Sequence, residues 1–101
     1  KIKGDEIRAK IISINKFGSL HLNITHDVWD EFEVKLGNRV ALFFKNESLD
    51  APFVKTFGDV EEGEDLIMKD DYGRIEVALN QDSFAKMYDV NIGDDFLVKR
   101  R

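Results

Sequence analysis

Apolar and polar residues alternate through most of this chain, and the alternation has period two, which predicts strands. Leu20, Leu22 and Ile24 alternate with His21 and Asn23, as in a half-buried strand. Ile75, Val77 and Leu79 do the same against Arg74, Glu76 and Ala78. In the first strand Ile7, Ala9 and Ile11 share one face, and then Ile12 and Ile14 share the other. That change of phase predicts a bulge, or a strand buried on both sides as in a closed barrel. Further strands are expected over Arg39–Lys45, Phe53–Phe57, Asp65–Lys69 and Phe96–Arg100. Turn residues separate them: Gly18, Gly37-Asn38, Gly58-Asp59, Gly63, Gly73 and Gly93-Asp94. Two segments break the period. Thr25–Val34 places Val28, Trp29 and Phe32 at helical spacing behind Thr25 as N-cap, and Asp82–Asp89 places Phe84, Met87 and Tyr88 likewise behind Asp82. Both are short and need tertiary packing to hold. The fold class expected is all-β: a small antiparallel β-barrel of about seven strands with one or two short helices, a sandwich being the other arrangement of such strands. Closure would remove the exposed edges of a free sheet.

Length and charge narrow this picture. The 101 residues suit one domain, 1–101, with a single core. No apolar run exceeds the five residues Val40–Phe44, far below the ~20 that a membrane helix needs. The start, Lys1-Ile2-Lys3-Gly4, has no signal-like apolar core and no Met, which suggests a cut or processed end. With no cysteine there is neither a disulfide framework nor a thiolate metal site, and a reducing, cytoplasmic location is the expectation. The net charge of −5 conceals an asymmetry: residues 59–95 carry twelve acidic and three basic side chains. An acidic half repels phosphate backbones, so nucleic acid is not expected as partner, and with no membrane-length apolar run neither is a membrane. The terminal Lys99, Arg100 and Arg101 read as solvated charges. Asp59–Asp65 holds five carboxylates in seven residues but lacks the ligand spacing of a calcium loop, and reads as a solvated turn.

Catalytic patterns are missing. His21 and His26 are the only histidines, and a metal site built on them would need a third ligand such as Asp27; as surface or helix-start polar residues they need nothing more. Ser13, Ser19, Ser48 and Ser83 stand in no nucleophile elbow, and no glycine-rich phosphate loop occurs. No catalytic residue and no metal ligand is assigned.

The turns carry a resemblance. They read Ile14-Asn15-Lys16-Phe17-Gly18-Ser19-Leu20, then Phe53-Val54-Lys55-Thr56-Phe57-Gly58 with Glu62-Gly63-Glu64 after it. Next come Asp70-Asp71-Tyr72-Gly73-Arg74-Ile75-Glu76-Val77-Ala78-Leu79-Asn80 and finally Asn91-Ile92-Gly93-Asp94. In order and spacing this set resembles the C-terminal domain of the SAM hydroxide adenosyltransferase family, relatives of the SAM-dependent fluorinases and chlorinases. The family pattern runs Asp-x-Phe-Gly-Asn, Thr-Tyr or Thr-Phe, Gly-Glu, Asn-Ser-x-Gly-x-Leu-Glu-Ile-Ala-x-Asn and Gly-Asp. The resemblance extends from about Glu6 to the end.

It implies a protein of two domains, a larger N-terminal α/β domain and this barrel, assembled as a homotrimer. SAM, a substrate and not a cofactor, would lie between one subunit's N-terminal domain and its neighbour's barrel. Water would displace methionine at the ribose 5′ carbon, prepared chiefly by N-terminal groups. This chain alone would then be inactive. Phe17 and Phe57 match the aromatics that sandwich adenine, where stacking is worth ~1–3 kcal/mol per base. As residues beside turn glycines, they read equally well as core phenylalanines. Ser19 stands in place of an Asn that bonds adenine, at a cost of roughly 0.5–1.5 kcal/mol for a lost hydrogen bond. Asp71 replaces the Ser that meets the methionine carboxylate, and two facing carboxylates repel. Asn15 replaces the motif's Asp, and Asp70 its Asn. Tyr72, Leu79 and Gln81 fall at other pocket-lining positions. The departures leave a second reading open: a non-catalytic barrel that binds a nucleoside, or one that mediates oligomer or partner contacts.

Overall fold

The computed structural model describes residues 2–101. Their strands are β1 (Ile2–Lys3), β2 (Glu6–Ile14), β3 (Leu20–Thr25), β4 (Arg39–Phe44), β5 (Glu47–Pro52), β6 (Asp65–Lys69), β7 (Arg74–Leu79) and β8 (Asp95–Arg100). Helix α1 (His26–Glu31) follows β3, a 3₁₀ turn occupies Phe57–Asp59, and α2 (Phe84–Tyr88) precedes β8. All strand pairs are antiparallel, in the order β5-β4-β8-β2-β3-β7-β6, with β1 added to β2. The two ends of this path meet just past β5: Phe53 bridges Ile67, and Val54 N–H donates to the Ile67 carbonyl at 2.9 Å. The result is an eight-stranded sheet nearly closed into a barrel, the all-β architecture expected from the alternation.

The phase change in β2 is a bulge. Residues 6–10 pair with β8, the register slips between Ile11 and Ser13, and residues 13–14 pair with β3. Ile7, Ala9 and Ile11 are buried inside, whereas Ile12 is turned outward and 44% exposed. One strand thereby serves both halves of the barrel, because the extra residue bends it and increases its twist.

The interior is closed by the two helices. Thr25 Oγ1 accepts from Val28 N–H at 3.1 Å, the expected cap, and α1 buries Trp29 against Phe53 and Phe32 with ring centroids 5.2 and 5.6 Å away. The cap of α2 is Ser83 and not Asp82: Ser83 Oγ accepts from Lys86 N–H, while Asp82 accepts from Ser83 N–H. The shift by one residue follows from the local bonds available, since both side chains are competent acceptors. Phe84 is buried among Phe44, Phe96 and Tyr88, and Met87 of the same helix is exposed.

Three other expectations are corrected. Phe53–Phe57 is not a strand; β5 is Glu47–Pro52, a polar edge strand with only Leu49 and Ala51 to mark its apolar side, hence its weak alternation. The terminal arginines are not simply solvated. Arg100 Nη1 donates to the Phe32 carbonyl at the end of α1 (2.7 Å), and Arg101 Nε lies 2.9 Å from Asp50 Oδ1. Strand β7 is buried on both faces: Ile75, Val77 and Leu79 face the main core, while Ala78 joins Val54 and Leu66 in a second small cluster. No helix is long and apolar enough to cross a membrane among the described residues.

Candidate functional site

The outward positions of β3 and β7 lie under three loops, and each loop is shaped by one Asn or Asp side chain that accepts two main-chain N–H groups. In the β2–β3 loop Asn15 Oδ1 accepts from Phe17 (2.9 Å) and Ser19 (3.1 Å). In the segment after β5, Asp59 Oδ2 accepts from Lys55 (3.2 Å) and Thr56 (3.1 Å), which bends the chain at Phe57. In the β6–β7 loop Asp70 Oδ1 accepts from Tyr72 and Arg74, both at 2.8 Å. Short acceptor side chains are favoured in turns because they replace ladder partners that loop N–H groups lack.

These loops border a cleft of two adjoining compartments, about 470 and 800 Å³, which share Phe17 and Phe57. Ser19, Leu79 and Gln81 line the smaller, and Asp71 and Tyr72 the larger. All seven residues singled out in the sequence therefore fall on one cleft. Phe17 and Phe57 are not core residues: they are 69% and 38% exposed. Tyr72 and Asp71 stand exposed at the rim, Gln81 adopts a left-handed backbone (φ 63°), Leu79 is buried, and Ser19 is 3% exposed in the floor.

The floor of the larger compartment is a polar cluster. His21 and Glu76 face each other across the β3–β7 ladder, and His21 Nδ1 lies 2.7 Å from Asp70 Oδ2. Nε2 of the same ring is 3.4 Å from Asn15 Nδ2. His26 Nε2 donates to the Arg74 carbonyl (3.1 Å) and stands 4.0 Å from Asp70 Oδ1. The two histidines thus converge on Asp70, and no set of three His, Cys, Asp or Glu suited to a metal occurs among the described residues. Burial pushes the Asp70 carboxyl up, but hydrogen bonds from Arg74, His21 and Tyr72 outweigh it and hold the group below the usual carboxylate range. Burial dominates at Glu76 and pushes its carboxyl up, only partly offset by His21 and by a hydrogen bond from Ser19.

The two carboxyls have opposite linkage signs. A depressed folded pKa contributes stability that is present above the unfolded value and lost as pH falls through the folded one. Asp70→Asn is expected to lower stability at pH 7 by about 2 kcal/mol, the scale of hydrogen bonds to a charged group, and to flatten the acid limb of the stability profile. A raised folded pKa costs stability as pH climbs from the unfolded toward the folded value, so Glu76→Gln is expected to be at least as stable as the parent at pH 7. Urea melts between pH 3 and 7 measure both; equal acid slopes for Asp70→Asn and parent would contradict the first assignment.

Sequence reasoning missed Glu76, Asn80 and Ser83 as cleft-forming positions, and weighed His21 only with His26, as metal ligands or as surface polar residues. His21 and Glu76 sit at the polar positions of alternating strands, where the pattern says only "outside"; their meeting needs the β3–β7 register.

A small, nearly closed antiparallel barrel with an aromatic-rimmed cleft on its outer wall defines a compact β-barrel domain. The sequence model of the SAM hydroxide adenosyltransferase C-terminal domain matches residues 9–97, and the chain belongs to that family. It is similar to an uncharacterized conserved protein from Thermotoga maritima, at 25% identity and a TM-score of 0.94 over 98% of this chain and 38% of that one. A conserved hypothetical protein from Thermus thermophilus shares the fold, at 20% identity and a TM-score of 0.68 over 90% of this chain and 34% of that one. The chain thus spans little more than a third of the length of these structures.

Proposed function

We propose that this barrel supplies the adenine and methionine side of a SAM pocket, completed at a subunit interface by an N-terminal α/β domain of a neighbouring subunit in a homotrimer. The observation that carries the reading is the Phe17/Phe57 pair, exposed on separate loops yet shared by both compartments of one cleft. Exposing two large rings is costly unless a flat ligand or a partner covers them. The full-length reaction would be SAM plus water to adenosine plus methionine. Water oxygen bonds to the 5′ carbon, the carbon–sulfur bond breaks with its electron pair going to sulfur, and the water proton leaves to a base. No group of this chain takes part in that step; its share is binding and orientation. A half-pocket cannot exclude water or stabilise the displacement transition state, so the isolated chain is expected to release no adenosine from SAM.

One observation favours a second reading, a nucleoside-binding barrel without catalysis. Asp71 adds a carboxylate to the rim where a methionine carboxylate would approach. Calorimetry on the 101-residue chain with adenosine and with SAM separates the two. Heat with both supports the SAM pocket, heat with adenosine alone supports the nucleoside barrel, and no heat with either counts against both. Turnover of SAM by the isolated chain would overturn the assignment of catalysis to another domain.

A further inference from the structure

Hydrogen bonds run unbroken from the β6–β7 loop to the β2–β3 loop, and one histidine stands in the middle. Asp70 is anchored first: its Oδ1 is occupied by Tyr72 and Arg74 N–H, which leaves Oδ2 for His21 Nδ1 at 2.7 Å. A carboxylate only accepts, so the ring proton lies on Nδ1. Nε2 of the neutral ring then carries a lone pair and faces Asn15 Nδ2 at 3.4 Å. The orientation of Asn15 is set independently, because its Oδ1 accepts from Phe17 and Ser19 N–H; its NH₂ must therefore point at the ring.

We propose that His21 is a positioning residue: as the neutral Nδ1–H tautomer it ties the β6–β7 loop, through Asp70 and Asn15, to the turn that presents Phe17 and Ser19, and a second ring proton releases that turn. The consequence for ligand rests on the cleft reading above; the relay itself does not.

The release follows from donor and acceptor counting. Protonation turns Nε2 into a donor aimed at the Asn15 NH₂, so two donors face each other. Rotation of the Asn15 amide relieves this, and it loses both bonds to the Phe17 and Ser19 main chain. The charged groups around the ring do not spare Asn15. Asp70 holds Nδ1, Glu76 faces the ring from β7, and Lys16, Asp71 and Arg74 line the same compartment. His26 stands at 4.0 Å from the other oxygen of Asp70. Asp70, at 2.7 Å, keeps a charged ring in place, so the conflict falls on the amide. Histidine is the side chain whose charge ordinarily changes between pH 5 and 8, and a doubly protonated ring would act on the turn that carries Phe17 and not on the β2–β8 ladder.

The test is ¹⁵N NMR on the full 101-residue chain without ligand, reading His21 ring nitrogens and amide exchange protection at pH 8 and pH 5. The expected result is an Nδ1–H tautomer at pH 8 and, at pH 5, at least a tenfold loss of protection at Phe17 and Ser19, with Ile7 and Val98 unchanged. Asn15→Asp supplies oxygens to both main-chain donors and to the protonated ring, so in it the protection should survive at pH 5. An Nε2–H tautomer at pH 8, equal protection at the two pH values in the parent, or the same loss in Asn15→Asp would each overturn the relay. Adenosine titrations at both pH values form a separate arm. Weaker binding at pH 5 in the parent but not in Asn15→Asp supports the relay's effect on the cleft. An absence of adenosine binding at either pH counts against the cleft reading, while the exchange data still decide the relay.

Discussion

Truncating the aromatic pair is expected to abolish adenosine binding while leaving the barrel intact. Each stacked base is worth roughly 1–3 kcal/mol, or about 5- to 150-fold in affinity, so Phe17→Ala and Phe57→Ala should each lose that much. The double variant should lose on the order of the sum, taking a micromolar ligand out of the measurable range, although residues that share one ligand need not be additive. Stability should hardly move, because Phe17 is 69% and Phe57 38% exposed and neither belongs to the core clusters. That contrast is the diagnostic. A buried Phe→Ala change costs ~3–5 kcal/mol of folding free energy, so Phe84→Ala provides the core comparison, its ring being fully buried. Calorimetry with adenosine and urea melts on the same preparations read the two quantities. Unchanged affinity in Phe17→Ala and Phe57→Ala would remove the aromatic pair from the site.

The second large effect is structural. Gly18 has φ +84°, and a Cβ there would meet Ser83 Oγ at 1.9 Å, Ser83 Cβ at 2.6 Å and Ser83 Cα at 2.9 Å. The close approach has a purpose: the Gly18 carbonyl accepts from Ala85 N–H at 3.0 Å, which docks the start of α2 on the turn that carries Phe17. Gly18→Ala therefore combines the left-handed penalty of roughly 1–2 kcal/mol with overpacking of about 1–3 kcal/mol. A total near 2–5 kcal/mol is a large fraction of the ~5–15 kcal/mol typical of a domain. Gly37 separates the two contributions, since it has φ +92° with nothing within 4 Å of an added Cβ. Gly37→Ala should cost only the backbone part. If chemical denaturation gives both variants the same loss, the contact between the turn and α2 carries no energy.

Much of the fold is legible in the residues. The alternation in β3 and β7, the phase change at Ile11–Ile12 and the Thr25 cap all correspond to features of the structure, because each is a local preference that the barrel obeys. The failures are equally physical. Strand β5 is an edge strand of mixed polarity whose pairing with β4, from Arg39–Pro52 to Phe44–Glu47, is set by the tight turn at Lys45-Asn46 and not by a hydrophobic pattern. Its neighbour Phe53–Phe57 looks more strand-like in sequence, yet Phe53 makes only the closing bridge to Ile67 and the chain then turns about Asp59. The site shows the same division. Glycines, Phe17 and Phe57 are visible as turn and aromatic signals, whereas their exposure is not.

The exchange of motif residues at Asn15 and Asp70 gains a location from the tertiary structure. These positions are 55 residues apart in sequence, and they stand on opposite nitrogens of the His21 ring. Composition places excess acid in the second half of the chain, but only packing separates Asp70, which is held charged by three donors, from Glu76, whose burial opposes its charge.

What the sequence by itself determined is the set of local commitments. It specified alternating strands with an apolar side, two short helices, glycine-marked turns, and an ordered set of turn motifs that points to one family. These depend on neighbours within a few residues, where backbone preference and period leave a readable mark. What only the tertiary structure decided is which polar residues meet. Strand register set His21 opposite Glu76, loop docking brought Asn15 and Asp70 onto one ring, and barrel closure left Phe17 and Phe57 outside the core. Contacts of that kind are made between distant segments, and no periodicity in either segment encodes the other.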